Sequence, residues 1–201
     1  MAGAIPRDSA ATVFEGMAQS SRGGGPWLIA WAGTQGDTLL LLRVAQQLKA
    51  TVGHIPRTAP VMTKDILGYM IASSEAYLTL ARGDTTKALS LFLALPDTAC
   101  FTFCGIDALE RAQLLEARGR PQEALDWLDR TPGGSMLPPL PSDVLRTLAH
   151  GRLQERLGQR DSAIEAYTYV TAVWARADSV LQPYVAEARA GLARLSAEPK
   201  P

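Results

Sequence analysis

The stretch A-Q-L-L-E-A-R-G-R-P-Q-E-A-L-D-W-L, residues 112–128, places a glycine between two runs of helical character. Gly119 stops the first run and makes a tight turn. Pro121 then suits the first turn of the next helix, where its missing N–H is not needed. Ala124, five residues past the glycine, is small enough for the returning helix to approach the first one closely. The stretch predicts an antiparallel helical hairpin.

Two further stretches have the same form. In A-Y-L-T-L-A-R-G-D-T-T-K-A-L-S-L-F, residues 76–92, the glycine is Gly83 and the alanine Ala88. In R-L-Q-E-R-L-G-Q-R-D-S-A-I-E-A-Y, residues 152–167, they are Gly158 and Ala163. The glycines stand 36 and 39 residues apart, and the longer interval contains the Gly/Pro-rich run 132–141. Seven residues before each glycine is a small residue (Ala76, Ala112, Gly151), and nine after it a large one (Phe92, Leu128, Tyr167). Small residues allow the two backbones to approach, and the large one fills the space toward a neighbour. Near-constant intervals of this size predict stacked hairpins.

This register resembles the tetratricopeptide repeat family. The small residue before the turn, the glycine, the alanine of the second helix and the large residue after it all match, best at Gly151…Gly158…Ala163…Tyr167 and Ala112…Gly119…Ala124…Leu128. Where the family carries a large aromatic early in the first helix, this chain has Ala72, Ala108 and Thr147, and the family's late proline is displaced or missing. The resemblance implies an all-α fold: stacked antiparallel helical hairpins, a tetratricopeptide-like α-solenoid wound as a right-handed superhelix. It covers residues 59–196, ending in a C-terminal capping helix. The passage from Ala163 to Leu195, with A-I-E-A-Y and L-Q-P-Y-V-A-E-A-R-A, also resembles helical-repeat regions of large bacterial regulators, which follow a Ser/Thr kinase or transcription-factor module.

Residues 1–58 read as an N-terminal segment holding a degenerate hairpin. Asp8 is a candidate N-cap for a short helix with Ala11, Phe14 and Met17 on one face, ended by Ser20-Ser21-Arg22-Gly23-Gly24-Gly25. A helix is predicted from Pro26, broken at Gly36-Asp37, and the next carries Leu40, Leu41, Val44, Ala45 and Leu48. Here Leu41 stands where the other hairpins have alanine. After a connector at 54–60, helices are predicted over Pro60–Arg82, Thr86–Leu95, Ile106–Arg118 and Pro121–Arg130. Three more follow: one capped by Ser142 and running to Leu157, one from Asp161 to about Ala177, and a last one with Pro183 in its first turn. The piece from Asp97 to Gly105 predicts a loop with aromatic anchors, and the Gly/Pro-rich run an exposed loop. Nine or ten helices are expected and no strand, since no alternating β-branched run occurs.

Lys plus Arg and Asp plus Glu number 20 each, so no overall field draws the chain to nucleic acid or to an anionic membrane. A hydrophobic fraction of 47% is too high for disorder. No run reaches the roughly 18 apolar residues of a membrane span. Two cysteines make no disulfide framework, and the N-terminus lacks an apolar signal core, so a cytoplasmic location is expected.

No catalytic motif stands out. Phosphate-loop, zinc-protease and nucleophile-elbow patterns are missing, and the glycine clusters at 23–25 and 133–134 follow no strand. Cys100 and Cys104 lie near no histidine and read as small apolar residues. His54 and His150 are isolated, and the carboxylates sit beside arginines on helix faces. Trp27 and Trp31 share a helical face and read as core. No enzyme, cofactor or metal is expected.

The resemblance implies binding of a protein or peptide. The groove-facing positions of the family fall on Ser73, Tyr77 and Leu80, then Leu109, Gln113 and Glu116, then Leu148, Arg152 and Glu155, with Arg156 adjacent. Arg152 and Arg156 are the only cationic pair among them, and the lysines and asparagines of the family's carboxylate-clamping members are missing. The expected function is that of a non-catalytic scaffold or regulatory module in signalling. Two other readings stand beside it: a fixed subunit of an assembly, and a small-ligand sensor walled by Trp27 and Trp31.

Overall fold

The computed structural model describes residues 12, 13, 16, 25–56, 58–96, 104–130 and 141–197. Among them nine α-helices have defined bounds, and there is no β-strand. The protein is all-α. The chain divides into two compact units that part within one helix, after Asp107.

The first unit holds α1 (Gly25–Gln35), α2 (Thr38–Gly53), α3 (Val61–Ala81), α4 (Thr85–Leu93) and the opening turn of α5 (Cys104–Ala117). Helices α1, α2 and α4 all pack on α3, which is the centre of this unit. The second unit holds the rest of α5, then α6 (Pro121–Arg130), α7 (Pro141–Arg156), α8 (Arg160–Val173) and α9 (Gln182–Ala197), the last preceded by a 3-10 turn at Ser179–Leu181. Here α8 packs against both α7 and α9, and α9 also reaches α7.

Each hairpin turns in the same way. Gly36, Gly83, Gly119 and Gly158 take φ of 70°, 85°, 70° and 74°, the left-handed region that favours glycine. Around each, two backbone bonds close the preceding helix. At Gly119, the Gly119 N–H donates to Glu116 C=O at 2.9 Å and the Arg120 N–H to Leu115 C=O at 3.0 Å. The pairs at the other turns are Gly36 to Gly33 with Asp37 to Ala32, Gly83 to Leu80 with Asp84 to Thr79, and Gly158 to Glu155 with Gln159 to Gln154. This double closure is the Schellman arrangement, which satisfies carbonyls that the helix end would leave open. The next helix starts at once. Asp37 and Asp84 cap it with a carboxylate oxygen that accepts from Leu40 N–H and Lys87 N–H, each at 2.9 Å. Pro121 opens α6 at its first residue.

Five residues past each glycine, Leu41, Ala88, Ala124 and Ala163 are all fully buried. The size register extends to the other two positions. Phe92, Leu128 and Tyr167 are fully buried nine residues past their glycines; Ala76, Ala112 and Gly151, seven before, are buried too, and Gly151 lies against the Tyr167 ring. In the first hairpin the sizes are reversed: Ile29 and Leu41 are large, fully buried residues, and the half-buried Ala45 replaces the large one.

Two tyrosines occupy the tightest points. In the first unit Tyr77 meets Phe92 edge to face, with centroids 4.9 Å apart and rings at 87°, and its ring lies where a Cβ on Gly33 would sit. In the second unit the Tyr167 ring lies between α7 and α9. A Cβ on Gly151 would come within 2.8 Å of one edge, and a Cβ on Gly191 would overlap the other. Val144, Leu148, Val170, Trp174, Val185, Ala188 and Leu195 complete this core.

Several boundaries differ from the sequence expectation. Helix α7 starts at Pro141, so Ser142 lies inside its first turn instead of capping it. Helix α8 stops at Val173, because Trp174 leaves helical geometry to bury its indole and meet Tyr184 of α9 at 5.9 Å. Helix α4 ends at Leu93, before the expected Leu95. Cys104 and Gly105 begin α5, so they do not end a loop. The rest of that predicted loop, Cys100 with it, lies outside the described residues, as does the predicted loop at 132–140. Of the first expected helix, Thr12, Val13 and Gly16 are described, and they are helical.

Candidate interaction face

The two units treat the expected groove residues differently. On α3 of the first unit, Tyr77 is fully buried and Ser73 is 3% exposed. Both belong to the core of that unit, because α1 and the start of α5 cover this side of α3. The Ser73 hydroxyl donates to Asp107 Oδ2 at 2.9 Å, and the Tyr69 hydroxyl donates to the same oxygen at 2.7 Å. Asp107 is itself 4% exposed. A buried carboxylate needs such donors, and this one ties the opening turn of α5 to α3. Leu80, one turn further along α3, is half-buried.

In the second unit, Gln113 of α5 is exposed, with Leu109 and Glu116 half-buried beside it. On α7, Leu148 is buried in the core, while Arg152 and Glu155 are half-buried and Arg156 is exposed. The Arg156 guanidinium donates from Nη1 to Glu116 Oε1 at 3.5 Å, a long contact with the arginine side chain 51% exposed. This pair brings residues 40 apart in the chain onto one surface. Gln113, Glu116, Arg152, Glu155 and Arg156 therefore share a polar face of the second unit with the edge of α9.

Helix α9 takes up the remaining charges of α7. Arg194 donates to Glu155 from Nε to Oε1 at 2.6 Å and from Nη2 to Oε2 at 2.8 Å, the forked geometry of the stronger ion pairs. The Tyr167 hydroxyl donates to Glu155 Oε2 at 2.7 Å. One turn back on α7, Arg152 Nη1 meets Glu187 Oε1 at 3.3 Å. At the far end, Arg160 of α8 donates from Nε and Nη2 to the Leu195 carbonyl, at 3.2 and 2.7 Å, covering an open C-terminal carbonyl of α9.

These contacts set the electrostatics. The hydrogen bonds from Arg194 hold the Glu155 carboxyl below its ordinary value, burial opposes them, and the Tyr167 hydroxyl adds to them. Burial, then the bond to Glu155, pushes the Tyr167 phenol well above its ordinary range. The same carboxylate raises Arg194. On the opposite side of α7, His150 lies 3.5 Å from Asp129 of α6. Burial lowers its pKa, Asp129 opposes that, and Arg146 adds to it. Arg111 of α5 is 4% exposed and stacks over the Trp127 ring of α6, 4.1 Å from its centre.

Two pairs of charged residues have roles that the sequence does not announce. Glu187 and Arg194 of α9 both hold α7. They are seven residues apart on α9, which places them on one side of the helix, and that spacing is the signal available. The other pair is Asp107 and Arg111, both buried at the start of α5. Trp31 is 8% exposed and Trp27 half-buried, so the tryptophan pair packs largely inside the first unit. His54 caps α2, its Nδ1 lying 2.7 Å from the Ala50 carbonyl. Among the described residues, no group of three or more His, Cys, Asp or Glu side chains gathers at one point, and no helix is long and apolar enough to cross a membrane. No protein-family profile, curated protein or solved structure matches the chain.

Proposed function

We propose that the protein is a non-catalytic interaction module with tetratricopeptide-like stacking, and that it binds a protein or peptide segment. The binding face runs over α5 and α7 of the second unit: Leu109, Gln113, Glu116 and Arg156, bounded by Arg152 and Glu155. The observation that carries this reading is the ion pair between Glu116 and Arg156 across two helices. It joins them into one surface yet is long and exposed, so a ligand can open it at little cost. By contrast Glu155 is held by a fork and a hydroxyl, and forms the fixed edge of the face. Ser73 and Tyr77 are left out of this face because they are buried.

The test is affinity capture with the full chain, its Gln113→Arg/Arg156→Glu variant, and a Glu165→Arg control on the outside of α8. A partner held by wild type and control but lost by the double variant supports the face, provided that all three proteins melt alike. If the captured proteins are the same for all three, the face is wrong.

A second reading, the fixed structural subunit, is favoured by Leu39, Val61 and Met62 in the first unit, which are 74%, 73% and 54% exposed. Sedimentation of the isolated chain separates the two. The module stays monomeric, whereas a subunit deprived of its assembly self-associates through these side chains.

A further inference from the structure

We draw no further inference here: the strongest candidate, the exposed apolar side chains Val52, Val61 and Met62 flanking the connector between α2 and α3, is an unpartnered surface, and nothing in the structure shows what covers it.

Discussion

Arg194 on α9 grips Glu155 on α7 with two near-parallel hydrogen bonds, at 2.6 and 2.8 Å, while Tyr167 from α8 donates to the same carboxylate. One acid thus connects three helices. Its carboxyl is held below the ordinary value of 4.5 in the folded state, chiefly by Arg194. The stability it supplies is therefore complete above that value and is lost as pH falls through the lower folded value. The Tyr167 phenol has the opposite sense. Its folded pKa is raised, so its contribution is complete below the ordinary 10.0 and is lost as pH rises beyond it. Glu155→Gln should lower the melting temperature at pH 7, and the gap to wild type should close as pH falls below 4.5 and through the lower folded value. Added salt should narrow the gap at pH 7 as well. Thermal melts across pH read this directly; a gap of constant size would show that the carboxylate does not tie the helices.

The Tyr167 ring predicts a coupled pair of substitutions. Gly191→Ala places a methyl group against the ring, and Gly151→Ala does so from the other side. Each should destabilise by about 1–3 kcal/mol, as overpacking does in a filled core. Shrinking the ring position should relieve the crowding, so Gly191→Ala should cost much less in a Tyr167→Leu background than in wild type. A double-mutant cycle by urea denaturation measures the difference. Strictly additive values would place the strain elsewhere.

The features legible in the sequence are those set by neighbouring residues. A glycine after a helical run followed by a capping aspartate reads locally, and Gly36-Asp37 and Gly83-Asp84 build the turns they suggest. The size register at Ala88, Ala124 and Ala163 is legible for the same reason, since it is set by spacing from the turn glycine, and all three are fully buried. Residues whose role depends on a distant helix are not legible. Tyr77 is a core residue because α1 crosses α3 and Gly33 lies against its ring, and nothing in the sequence around Gly33 indicates that. Asp107 stands in the first turn of α5, where an acid favours the helix N-terminus, and Tyr69 and Ser73, 38 and 34 residues away, make it a buried acceptor. Glu187 and Arg194 have their partners on α7, 35 and 39 residues away.

The same position in two hairpins should respond to opposite substitutions. Ala124 and Leu41 both lie five residues past a turn glycine, and both are fully buried. Ala124→Leu should force α6 away from its hairpin partner, at a cost of about 1–3 kcal/mol. Leu41→Ala should instead leave a cavity under α1 and α2, with a loss of about 2–5 kcal/mol. Chemical denaturation of each variant gives both values. A neutral Leu41→Ala would mean that the first hairpin collapses onto a small residue as the others do, and that its reversed sizes are incidental.

The turn glycines can be separated from ordinary helical glycines by one pair of variants. Gly68 lies exposed within α3, with nothing inside 4 Å of the point where a Cβ would stand. Gly68→Ala should stabilise the protein by roughly 0.5–1 kcal/mol, because alanine loses less backbone entropy on entering a helix. Gly119 has equally open space, but its φ is 70°. Gly119→Ala should therefore destabilise by about 1–2 kcal/mol through backbone strain alone, the cost of a left-handed conformation for an L residue. Space is the same at both sites, so the opposite signs isolate the conformational requirement of the turn. Gly119→Asn should recover part of the loss, since asparagine tolerates that region better than alanine. Equal effects of alanine at 68 and 119 in thermal melts would remove the left-handed turn as the reason for glycine at 119.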